Sequence, residues 1–247
     1  MPREKFSGFR ARRRVARDMP YTARKDKTVN AKSQELKDKV TADFEVGKKA
    51  FHDTLAKAQA EIDVVTAEIT KLRADLKTQT ADAKVKTMAR VNELTKKLDA
   101  ARKEEQDKIE ARLKELHKEI ESANAEVKHA TAEGKVAAEA KAKAIHEEYD
   151  SARKALTASM DAELAELKAR ISTVLDAAAE TKAAAKAAVE AKIADLHAKQ
   201  EAAHKKLHAL KQAEVAAFDE LQRGVRTAIG EVKTAVQHAR ADIAAAK

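Results

Sequence analysis

The chain has 247 residues, 44% of them hydrophobic, 37% charged and only 3% aromatic, with no tryptophan and no cysteine. Absent cysteine excludes disulfides and thiolate metal sites, and so few aromatics argue against the deep core of an ordinary globular domain. Alanine, glutamate, lysine, leucine and arginine at helical spacing are instead the composition of long helices and coiled coils, which gain stability from a thin apolar seam.

The net charge of +9 is unevenly placed. Residues 1–32 hold eleven Lys and Arg against three Asp and Glu, a net of +8, which leaves 39 basic against 38 acidic groups for residues 33–247. No run reaches the roughly 18 apolar residues of a membrane-spanning helix, and the N-terminus has no apolar secretory core. A soluble, cytoplasmic protein is expected.

Residues 1–32 read as a basic arm that is flexible or folds on binding. Pro2, Gly8 and Pro20 interrupt it, while Phe6, Phe9 and Tyr21 are interleaved with Arg10, Arg12, Arg13, Arg14 and Arg17. Guanidinium groups recognise phosphates and carboxylates, and the aromatics suit stacking on bases, a lipid interface or pockets on a protein. A protein assembly is the first expected partner of Phe6, Phe9, Arg10, Arg12, Arg13, Arg14, Arg17 and Tyr21, followed by nucleic acid and then an anionic membrane. Asp26–Ser33 reads as a polar connector.

From about residue 33 the chain predicts an uninterrupted all-α body, since no proline follows Pro20. Ile62, Val65, Ile69, Leu72 and Leu76 step by 3 and 4, as do Ile109, Leu113, Leu116 and Ile120, and again Leu164, Leu167 and Ile171. This heptad seam predicts a left-handed coiled coil that self-associates through these residues. Large apolar side chains are missing at Thr78–Ala83 and Ala177–Ala188, and Thr131–Ala140 contains Gly134. Glycine is the least costly residue for a left-handed turn, so the expectation is either a long hairpin that turns at 131–135 or one continuous rod. A straight helix of the whole body would span roughly 300 Å.

Two groupings bear on metal chemistry. His197, Glu201, His204 and His208 share one helical stripe, and Glu126–His129 repeats the Glu-x-x-His spacing of Glu201–His204. Such spacings serve zinc and di-iron sites, but they arise readily in a Glu-rich chain holding eight histidines. Surface histidines with no metal and no cofactor are the expectation. Nucleophile elbows, phosphate loops and dinucleotide fingerprints are missing, so no enzymatic activity is expected.

Near the C-terminus, Ala191–Ala203 includes Lys199-Gln200-Glu201-Ala202-Ala203, and Ala217–Lys233 includes Phe218-Asp219-Glu220-Leu221-Gln222-Arg223-Gly224-Val225. This stretch of about 50 residues resembles a poorly characterised bacterial family of helical coiled-coil proteins, stress-responsive in cyanobacteria. Phe218 and Ile229 stand where that family carries tryptophan. The resemblance implies an elongated helical protein without known catalysis.

The leading functional expectation is therefore a structural rod or scaffold tethered by its arm. One alternative is an amphipathic coat on lipid or polymer granules, similar to apolipoproteins or phasins. Another is a nucleic-acid-associated protein or a helical stress protectant, which Ala177–Lys186 resembles in composition.

Overall fold

The structure, a computed structural model, describes residues 21–179 and 183–245. The fold is all-α, and among the described residues there is no strand. Five helices follow one another: α1 (Tyr21–Asp75), α2 (Ala81–His129), α3 (Ala132–Ala179), α4 (Ala183–Lys211) and α5 (Val215–Ala245). No helix of the described residues is long and apolar enough to cross a membrane.

Cross-helix pairs define the directions. Arg90 of α2 meets Glu68 of α1, Arg112 of α2 meets Glu148 of α3, and Lys192 of α4 meets Asp242 of α5, all in antiparallel register. Arg73 of α1 lies beside Glu166 of α3, and Lys233 of α5 beside Glu163 of α3, both in parallel register. The chain thus runs up and down five times. Helix α3 sits at the centre, in contact with α1, α2, α4 and α5.

This arrangement bears out the all-α expectation and divides the body among several long helices paired in antiparallel fashion. The body is neither one continuous rod nor one hairpin: among the described residues α1 gives way to α2 around residues 76–80, α2 to α3 around 130–131 and α4 to α5 around 212–214. The first two of these fall in or beside stretches whose seams are poor in large apolar side chains. There a helix has little to gain from continuing beside its neighbour, and reversal buries more apolar area per residue. The turn at 130–131 does not use Gly134. Ala130 takes an extended conformation (φ −66°, ψ 137°), and the Gly134 and Lys135 amides donate to the Thr131 carbonyl at 3.0 Å, so Gly134 lies in the first turns of α3. No described residue has a positive φ. Helix α1 also begins at Tyr21, so Asp26–Ser33 is helix and not a connector.

The expected self-association seam is packed inside the single chain. Ile62, Ile69, Ile109, Leu113, Leu116, Ile120, Leu164, Leu167 and Ile171 are buried, and Val65 and Leu72 pack beside them; Leu76, at the end of α1, is half-buried. These side chains meet other helices of the same molecule because each interruption brings the next apolar stripe back against the previous one. Buried alanines such as Ala123, Ala152 and Ala203 let the helix axes come close. The apolar interior forms two clusters. The larger spans all five helices, and the smaller joins Ile62 and Ile69 of α1 to Val91, Leu94 and Leu98 of α2.

Candidate functional site

The most unusual part of the interior is charged. On α3, Ser159, Glu163, Glu166 and Arg170 step by 4, 3 and 4, one residue ahead of the apolar positions Met160, Leu164, Leu167 and Ile171. In a two-helix coil such a flank would face water. Here α3 packs against four other helices, and all four side chains are buried, together with Arg102, Glu105 and Gln106 of α2.

Burial of charge is tolerable only when partners are supplied. Arg170 donates twice to Asp99, at 2.8 and 3.0 Å, and once to Glu166 at 3.2 Å. Arg73 of α1 completes Glu166 with a bidentate contact at 2.8 and 3.3 Å. Ser159 donates to Glu105 at 2.7 Å, Gln106 donates to Glu163 at 2.9 Å, and Lys233 of α5 caps Glu163 from the other side. Burial opposes the charge on Arg170, yet the hydrogen bonds and charge of Asp99, with Glu166, hold its pKa above the usual arginine value. Arg102 is different. It is 4% exposed, its Nη1 has no protein partner, and burial lowers its pKa despite the nearby charges of Glu163 and Glu166.

The layer opens at one end of the bundle into a cavity of about 490 Å³. Its walls come from the end of α1 (Arg73, Leu76), the start of α2 (Met88, Val91, Asn92), the end of α3 (Thr173, Val174, Ala177) and the end of α5 (Arg240, Ala241, Ile243, Ala244). Burial lowers the pKa of Arg240, and the like charges of Arg170 and Arg73 lower it further.

A second polar spot lies further along α3. Arg112 donates to the fully buried Glu148 at 2.7 Å, while Tyr149, His117 and Phe218 make edge-on ring contacts with centroids 6.5 and 6.3 Å apart. The Tyr149 hydroxyl and His117 Nδ1 have no protein partner. Arg153 lies over the Phe218 ring, 4.6 Å from its centroid, and donates to the Ala213 carbonyl, which fastens the α4–α5 turn to α3.

The residues singled out in the sequence are distributed otherwise. Phe6, Phe9, Arg10, Arg12, Arg13, Arg14 and Arg17 lie outside the described residues, and Tyr21 is the first residue of α1. His197, Glu201, His204 and His208 stand exposed on the outer face of α4, where Glu201 pairs with Lys205 at 2.8 Å. Glu126 is bound to Lys141 at 2.9 Å. Among the described residues, no three His, Asp or Glu side chains converge as a metal site requires. The buried layer and its cavity were not anticipated. Their one signal is the polar 4-3-4 stripe beside the α3 seam, which looks like any solvated coiled-coil flank until all the neighbours of α3 are known. Comparison of the chain with protein-family models, with curated proteins and with solved structures gives no match.

Proposed function

We propose that this protein is a non-enzymatic, elongated helical scaffold whose basic N-terminal arm docks it onto a partner protein assembly. The observation that carries this reading is the segregation of charge, +8 in residues 1–32 against a nearly neutral remainder. A body so balanced has little electrostatic reason to bind anything anionic, whereas the arm concentrates guanidinium groups and aromatic anchors in one short segment.

The shape of the body supports the same reading. Helix α1 holds 55 residues, about 80 Å of helix. His52 of α1 lies beside Ser151 of α3 at 3.4 Å, in parallel register. That register places the start of α3 opposite a point well inside α1, so the first turns of α1 continue past the α2–α3 turn. A rigid body with a basic segment leading from one end is suited to hold a fixed distance from an anchoring point.

The test is affinity capture from native lysate with the full chain and with a full-length variant in which Arg10, Arg12, Arg13, Arg14 and Arg17 are glutamine. The expected result is a discrete set of proteins that the variant loses and that raised salt releases, because exposed charge contacts are screened within about 10 Å at 0.1 M salt. Equal capture by both chains would sink the docking role of the arm. Capture abolished by nuclease would replace the protein partner with nucleic acid.

A further inference from the structure

We infer that the cavity at the end of the charged layer is a binding site for an amphipathic monocarboxylate, its head group on Arg240 and its chain along Leu76, Val91, Val174 and Ile243. The argument begins with the charge balance. Around the layer stand five cations (Arg73, Arg102, Arg170, Lys233 and Arg240) and four carboxylates (Asp99, Glu105, Glu163 and Glu166). Arg73 is committed to Glu166, Arg170 to Asp99 and Glu166, and Lys233 to Glu163. Among the described residues Arg240 has no hydrogen bond or ion pair, although it lines the cavity. Its charge is disfavoured there by burial and by its two arginine neighbours, so an anion delivered to the cavity would relieve it. Arg240 is half-buried, and on the same wall the Nε of Arg73 is buried without a partner.

The remainder of the wall selects what the anion is attached to. It is mainly aliphatic, and the volume of about 490 Å³ falls within the roughly 300–1,000 Å³ of small-molecule sites. Met88, 54% exposed, stands at the mouth. One unbalanced guanidinium matches one negative charge, and its planar fork matches a carboxylate. A dianionic head would bring an excess negative charge beside Glu166.

Titration calorimetry of the full chain with decanoate below its micelle concentration tests the site, with decanol and decyltrimethylammonium as controls of equal chain length. Saturable binding of one decanoate per chain is expected. Arg240→Gln should weaken it by about tenfold or more, Arg240→Lys should retain most of it, and decanol should bind weakly and equally to wild type and Arg240→Gln. Val174→Phe, which fills the aliphatic wall, should lower the affinity for decanoate and decanol together. Lack of saturable binding to the wild type, equal decanoate affinity in Arg240→Gln, or preference for the cationic probe would overturn the proposal.

Discussion

Tyr149 is 1% exposed, yet its hydroxyl has no protein partner. Burial raises its pKa above the usual phenol value, and Arg153 pulls weakly the other way. A folded-state pKa above the unfolded one favours the protonated fold. The associated stability is fully present below the ordinary phenol pKa of about 10 and is lost as pH rises through the folded value. Tyr149→Phe keeps the ring contacts with His117 and Phe218 and removes the unsatisfied hydroxyl. It should therefore stabilise the bundle by about 1 kcal/mol and lose less stability than wild type when urea unfolding is repeated above pH 10. An equal alkaline loss in both chains would show that another group carries it. At this scale the sequence was least legible. Glu148, Glu163, Glu166 and Arg170 are indistinguishable by spacing from exposed coiled-coil flanks, since a residue's burial depends on how many helices surround it and not on its own period.

The turns show which local signals held at the scale of elements. Heptad spacing located the apolar stripes of α1, α2 and α3 correctly, because a 3-4 step puts side chains on one helical face whatever partner that face meets. Thin seams coincide with two of the three interruptions among the described residues. Glycine misled, because permission for a left-handed conformation is not a requirement for one, and Gly134 is helical. A β-carbon built there meets nothing closer than Thr131 Oγ1 at 3.8 Å, an ordinary contact. Gly134→Ala should therefore raise stability by about 0.5–1 kcal/mol through helix propensity and a less flexible unfolded chain. Chemical denaturation checks the sign, and a loss of stability would mean that the turn needs glycine after all. The α4–α5 turn had no comparable signal. Gln212-Ala213-Glu214 contains neither glycine nor proline, and its position depends on Arg153 reaching the Ala213 carbonyl from α3.

For the whole molecule, the decisive feature is that apolar stripes suited to pairing between chains are satisfied within one chain. A single heptad seam cannot distinguish these outcomes, because it specifies an apolar face and not the identity of the helix that covers it. Within the chain α3 is central, its apolar residues in one cluster with residues of all four other helices and its charged flank paired with α1, α2 and α5. That placement creates the charged layer and the cavity beside Arg240. Size-exclusion chromatography with light scattering and small-angle X-ray scattering on the same peak tests this account most directly. It predicts a particle of one chain, 27.0 kDa, whose bundle is about 80 Å long as set by α1. A mass of two or more chains with a maximum dimension well beyond 150 Å, about that of half the extended helix, would show the seams pairing between copies and contradict it.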